Sequence, residues 1–236
     1  MEDWTSLRVR LTAKILSGRK DLHSPDFIDS IGCMIRRPQT TGFWYGRLPH
    51  WEVEDGRYFV TIHLRGAIPK QGEERIAEQA EELKSRIALP TADTRLSLMR
   101  TIFREMEEWL DQTKLNTLLN RSDVANMVVE AIQHRIRMGR WTVYEFVVMP
   151  SHVHLFLSVV NGTLKETLED FKRWTGHQAA KLIAMPAGRF WQDEWFDHWS
   201  RSDEQDERIA EYIRQNPEKA GLISDYQQWK YGSWNM

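Results

Sequence analysis

The sequence is poor in cysteine and has no long apolar run. Its one cysteine, Cys33, has no partner for an internal disulfide, and a reducing compartment is expected on that ground. No stretch is apolar over the length that a bilayer requires. The first residues lack the basic-then-apolar pattern of a signal peptide. A cytoplasmic protein with no membrane partner is the expectation. A marked excess of charge of one sign is missing too. The formal net charge of −2 announces no nucleic-acid partner, although a local basic stripe would not register in that sum. What is plentiful is tryptophan, with 11 in the chain. Such indoles either fill a core or stack on unpaired bases. The length of 236 residues suits one domain with an extension, or two small domains.

Residues 1–42 read as an N-terminal extension, partly helical. Leu7, Leu11, Ile15 and Leu16 keep helical spacing, with Arg8, Arg10, Lys14, Arg19 and Lys20 between them. This is the pattern of an amphipathic surface helix; a basic arm for phosphates is the other reading. Arg57–Leu64, rich in β-branched and aromatic residues, reads as a strand, with His63 structural. Helices are expected over 73–89, from about Leu96 to Thr113, and from a cap at Ser122 or Asp123 to Gly139. None of the three carries a cluster of reactive side chains, so they read as scaffold. A fourth helix follows Gly162. Thr163 and Glu166 are spaced as a capping box, and Leu164, Leu168, Phe171 and Trp174 form its expected buried side. Lys172 and Arg173 lie on or near its other side, a ridge that could face phosphates or simply be a solvated face. Arg189–Trp199 has strand character. The last helix starts near Ser202 or Asp203, with an acidic first turn that suits the helix dipole, and runs to Asn216-Pro217. The aromatic tail from Tyr226 to Trp234 is expected to pack back on the sheet.

Two stretches carry chemistry. Tyr144–Val159 reads as two strands joined by a turn at Pro150-Ser151. Side chains two apart on a strand share a face, so His152 and His154 point the same way and form half of a metal site. Tyr212 and Asn216, four apart on a helix, are neighbours on one helix face. A helix lying across the sheet would add an amide oxygen and a phenol to the two imidazoles. Two histidines and one oxygen leave coordination positions open, as a catalytic metal needs. A phenol with a pKa near ~10 is a poor nucleophile unless helped. A cation gripping a phosphate would stabilise the negative charge that gathers as the phenolate attacks phosphorus.

Six segments together bring in a family. Val148-Met-Pro-Ser-His-Val-His-Leu155 and Tyr212-Ile-Arg-Gln-Asn-Pro-Glu-Lys-Ala-Gly-Leu222 resemble the two main motifs of the HUH single-tyrosine transposases. Phe171–Thr175 and Phe190–Asp197 resemble two shorter segments between them, and Gly46–His50 with Phe59–Leu64 resemble the opening of the REP-associated tyrosine transposase branch. The likeness runs over about residues 43 to 234. It implies an α+β fold with a ferredoxin-like (RRM-like) antiparallel sheet, flanking helices and an HUH endonuclease core in a domain of residues 43–236. It implies Mg²⁺ or Mn²⁺ at His152 and His154, with Asn216 as third ligand and Tyr212 as nucleophile. Single-stranded DNA with REP-like hairpins is the implied partner, with Lys172, Arg173, Arg201 and Lys219 as candidate DNA contacts. The implied activity is strand transfer in DNA transposition and recombination through a 5′-phosphotyrosine link, in a cytoplasmic, nucleoid-associated protein. A domesticated hairpin-binding module with weak or no cleavage is the alternative, and an RNA-binding ferredoxin-like domain is a third. Three departures stand out. Ser151 replaces an Asn, Glu218 replaces a Val beside a phosphate path, and His198 replaces an Arg, which predicts weaker, more pH-dependent DNA affinity. Monomer and homodimer remain equally open.

Overall fold

The structure, a computed structural model, describes residues 36, 38–86, 92–112, 114–184 and 190–236; all of them fall in one compact unit, Arg36–Met236. The helix expected around Leu7–Leu16 and Cys33 lie outside the described residues. Strands β1 (Thr40–Tyr45) and β2 (Pro49–Val53) form an antiparallel hairpin. β1 thus begins inside the segment read as an extension. The main sheet holds β3 (Tyr58–His63), β4 (Trp141–Val148), β5 (His152–Val159) and β6 (Phe196–Trp199). Its order is β4-β5-β3-β6, antiparallel throughout.

Helices α1 (Lys70–Arg86), α2 (Ala92–Gln112) and α3 (Ser122–Arg137) separate β3 from β4. Helix α4 (Leu164–Leu182) separates β5 from β6, and α5 (Asp203–Lys219) follows. Numbering the four sheet strands along the chain, the spatial order is second, third, first, fourth. With helical crossovers after the first and third, this is the ferredoxin-like arrangement.

The pleat sorts the sheet into two faces. Val153, Leu155 and Leu157, opposite Ile62, Val60 and Tyr58, face α3 and α4. Trp141 donates its indole N–H to Thr167 Oγ1 at 2.8 Å and meets the Phe171 ring at 5.4 Å. Val60, Ile62, Val153, Leu155 and Leu157 are fully buried, each contributing about 1.5–3 kcal/mol by leaving water. The opposite face presents His152, His154 and Phe156, opposite His63, Thr61 and Phe59. Helices α2 and α5 cover it: the Phe59 ring meets Phe103 of α2 at 5.4 Å and Tyr212 of α5 at 5.8 Å.

Local signals explain the ends of these elements. Thr163 and Glu166 close the capping box on α4. Ser202 accepts from the Gln205 amide to start α5. Gly139 and Gly221, both with positive φ, follow α3 and α5. At each, the glycine N–H and the next N–H turn back to helix carbonyls, the paired bonds of a left-handed helix stop.

Some expectations need correction. Helix α3 has Arg121, not Ser122 or Asp123, as its flanking residue, with no side-chain cap; Asp123 pairs with Arg121 instead. Trp174 is 44 % exposed. It stands a quarter-turn off the stripe of Leu164, Leu168, Phe171, Thr175 and Ala179 that α4 buries. Helix α5 passes through Pro217 to Lys219. Of the aromatic run 190–199, only Phe196–Trp199 is strand, with Trp191 in an isolated bridge to Leu64. The tail does return to the sheet. Val148 donates to the Tyr231 carbonyl at 2.9 Å, and the Trp229 indole donates to the Val148 carbonyl at 3.0 Å. Together these cover the outer edge of β4.

Candidate metal and nucleophile site

Strand alternation brings the imidazoles of His152 and His154 together on the α2/α5 face, with their Nε2 atoms 3.1 Å apart. Each ring is oriented through its other nitrogen. His152 Nδ1 lies 3.0 Å from Ser151 Oγ, and His154 Nδ1 lies 2.9 Å from Thr61 Oγ1. With each Nδ1–H donated to its hydroxyl, a tautomer assigned from the network, both Nε2 lone pairs face one space. This is how metal-binding histidines are held. Ser151, where the family resemblance led to an expected Asn, therefore still has a partner in the site.

Helix α5 lies over these rings because it is fixed at both ends. At its start, Asp206 binds Arg36 at 2.6 Å and also pairs with Arg57. Further along, Arg214 Nε binds the buried Glu145 of β4 at 2.6 Å. Tyr212 and Asn216 face the sheet, and the Tyr212 ring is 5.5 Å from that of His154. Asn216 is buried against His152 and Tyr212.

One residue of the site escaped the sequence reading. Glu107 comes from α2, a helix read as scaffold. Its Oε2 accepts the Tyr212 hydroxyl proton and lies 3.4 Å from His154 Nε2. One ligand atom from each of Glu107, His152 and His154 lies within 4.8 Å of the others. The available signal was a carboxylate four residues after Phe103, flanked by Met106 and Leu110 on the buried side of α2.

The donor set fits a divalent cation. Glu107 Oε1 and Asn216 Oδ1 are buried acceptors without a hydrogen-bond partner. Such orphans are costly unless something positive fills the gap. Two imidazole nitrogens and a carboxylate oxygen converging in a buried pocket, with the Asn216 amide packed beside His152, suit a metal with open positions. The buried Glu107–His152–His154 group could hold one.

Electrostatics support this reading. Burial, reinforced by the neighbouring His154, lowers the His152 imidazole to about 3, so it is neutral and able to ligate. For Glu107, burial opposes ionisation, but the neighbouring His154 and His152 imidazoles and the Tyr212 hydroxyl prevail and lower its pKa. Burial, then the charge of Glu107, pushes the Tyr212 phenol well above the usual range. In the absence of a cation the phenol stays protonated.

The other expected residues divide. Lys219, in the last turn of α5, sits with Nζ 4.7 Å over the Tyr212 ring. Arg201 lies 4.0 Å over Trp199 and 3.4 Å from His198 Nε2. Lys172 and Arg173 are on α4, behind the sheet from the imidazoles. Lys172 Nζ donates to the Asp193 carbonyl at 2.6 Å and lies 4.9 Å from the Trp195 ring centroid; Arg173 pairs with Asp170. Glu218 accepts from the Tyr226 amide at 2.6 Å and so anchors the tail. His198 accepts from Gln205 at 2.6 Å. Burial, then Arg201 and Arg100, lowers it to about 4, so its charge is constant near neutrality. The pH-sensitive affinity expected from this position is therefore not supported. His63 is buried, within 3.1 Å of the Leu64 carbonyl, as a structural histidine should be.

Comparison with known proteins bears on the same stretch. Residues 112–216 match the family described as "Transposase IS200 like". The match takes in less than half of the chain but includes His152, His154, Tyr212 and Asn216, so in this segment the resemblance to the single-tyrosine transposases is shown. No curated protein matches the sequence. A solved structure described as "Structure of the REP associates tyrosine transposase bound to a REP hairpin" aligns with 81% of this chain and 82% of its own, at 15% identity and a TM-score of 0.49. No helix among the described residues is long and apolar enough to cross a membrane.

Proposed function

We propose that this protein is a metal-dependent single-strand DNA endonuclease and strand transferase acting at hairpin-forming, REP-like DNA, with Tyr212 as nucleophile. The observation that carries the reading is that the Tyr212 phenol and the paired imidazoles share one buried pocket, within a segment that matches a transposase family. His152, His154 and Asn216 would hold Mg²⁺ or Mn²⁺, with Glu107 Oε1 completing the set. Bound there, the ion would supply positive charge to the scissile phosphate and to the developing phenolate.

The chain's own groups account for the rest. Glu107 Oε2 is hydrogen-bonded to the phenol and can take its proton as the oxygen attacks. Phe59 and Phe103 pack against the Tyr212 ring and fix its direction. The Tyr212 oxygen forms a bond to phosphorus while the bond to the 3′-oxygen breaks, and that oxygen leaves as a hydroxyl after taking up a proton. One phosphodiester replaces another, so a second 3′-hydroxyl can reverse the step onto a new strand.

The test is incubation of hairpin-flanked single-stranded DNA with Mn²⁺, read on a denaturing gel. Wild-type protein should give a covalent protein–DNA species. Tyr212→Phe should give none while retaining hairpin binding. A Phe variant that still forms the adduct overturns the assignment. Hairpin binding with no adduct from wild-type protein at any pH would favour the alternative of a retained binding module. The buried phenol, its hydroxyl donated to Glu107, is the observation on that side.

A further inference from the structure

A cavity of about 280 Å³ opens beside Tyr212. Phe59 and Phe196 of the sheet, Phe103 of α2 and the Tyr212 ring form its aromatic floor. Arg100 of α2 and Arg208 of α5 stand at its rim, both exposed. Neither forms an ion pair with any described residue, whereas other arginines of the unit, such as Arg36, Arg57 and Arg214, do. Arg100 also lies close enough to His198 and Arg201 to act on their charge. Among the described residues the charge at the mouth is therefore uncompensated and positive, the floor is aromatic, and the nucleophile is part of the wall.

The geometry points to a subsite for one unstacked nucleotide of the cleaved strand, its base on the Phe59/Phe103/Phe196 floor and its phosphate at Arg100 and Arg208. This rests on the proposed function and adds where the strand enters. An aromatic floor is indifferent to base identity but needs a base to be present, and an arginine pair takes a phosphate through charged, forked hydrogen bonds. The volume is at the small end for ligand pockets, which run about 300–1,000 Å³. It suits a single base with its sugar and excludes a stacked pair. A fully apolar ligand would leave the arginines unused, and a free anion would leave the aromatic floor unused.

The experiment uses the full chain and a hairpin-flanked single strand that carries one abasic residue, or one 2-aminopurine, at each position in turn. One position near the phosphate that becomes linked to Tyr212 should lose about tenfold to a hundredfold in affinity when abasic, the range for one stacked base. 2-Aminopurine should be quenched at that same position. In the double variant Arg100→Gln with Arg208→Gln, whose exposed positions leave folding intact, the quenching should disappear while hairpin binding persists. A uniform abasic profile, or quenching unchanged in the double variant, overturns the subsite even if wild-type protein forms its covalent adduct. A protein that binds no single-stranded or hairpin DNA overturns the subsite together with the function it rests on.

Discussion

His50 provides a quantitative test of the electrostatics that hold the hairpin to the sheet. It is 2 % exposed, stacked at 3.8 Å on Trp44. Its Nδ1 donates to Asp197 and its Nε2 to Glu194, the latter at 2.7 Å. Burial alone would lower its pKa, but the two carboxylates prevail and raise it from 6.5 to about 9. A histidine raised in the folded state stabilises fully below its unfolded pKa and loses that contribution as pH rises through its folded pKa. At about 1.4 kcal/mol per pH unit, the contribution is about 3 kcal/mol, lost between pH 6.5 and 9.

A second group opposes this in the upper part of the window. Burial lowers Lys172, which stands near Glu194 and Asp193, from 10.5 to about 8. Its cost is felt below pH 8 and relieved as pH rises toward 10.5. Wild-type stability should therefore fall above pH 6.5 and flatten or recover above pH 8. Tyr58, raised by burial to about 12, adds nothing below pH 10. Replacing Lys172 by Met removes the opposing group, since the aliphatic stem is kept. Urea denaturation of Lys172→Met should show a monotonic loss of about 3 kcal/mol from pH 6.5 to 9.5. A flat profile in that variant, or a rising one, would refute the charged His50 pair.

The remaining predictions concern the site and the core. Mn²⁺ added at about a hundredfold over its dissociation constant should stabilise the wild-type protein by about 2.7 kcal/mol; His152→Ala with His154→Ala should abolish this shift in thermal melts, and chelation should reverse it in the wild type. Glu107→Gln should weaken Mn²⁺ binding by tenfold or more in a calorimetric titration; an unchanged affinity would remove Glu107 from the ligand set. Arg214→Met removes the guanidinium that binds the buried Glu145 carboxylate, to which Ser233 also donates. About 2–3 kcal/mol should be lost, below the full cost of a broken buried pair because Arg214 is itself partly exposed; a change under 0.5 kcal/mol in urea denaturation would contradict this. Phe171→Ala, fully buried beside Trp141 and Trp191, should cost about 3–5 kcal/mol by the same measurement.

The legible parts of this protein were those written in local periodicity. His152 and His154 share a face because strands repeat every two residues, and Tyr212 and Asn216 do so because helices nearly repeat every four. The Thr163–Glu166 box and the glycine stops are short-range for the same reason. Glu107 was not legible in this way. Its neighbours Glu105 and Glu108 have the same charge, and only the placement of α2 across the sheet selects Glu107 for burial. The His50–Asp197 pair spans 147 residues, a distance at which residue spacing carries no information about contact. Lys172 shows the converse. A basic ridge on α4 looked suited to phosphates, but the sheet's topology puts α4 behind the imidazoles, where Lys172 meets Trp195. Trp174 stands beside the buried stripe of α4, because the helical repeat gives the place on it to Thr175.

The central claim is that two imidazoles, a carboxylate and an amide from three separate elements form one cation pocket in contact with the Tyr212 phenol. Crystals grown with Mn²⁺ and measured at its absorption edge test this directly. The account predicts an anomalous peak bonded to Nε2 of both His152 and His154 and to an oxygen of Glu107 or Asn216, with the Tyr212 oxygen beside it. A peak bound elsewhere, or none in a protein whose His152 and His154 rings remain face to face at saturating Mn²⁺, would contradict it.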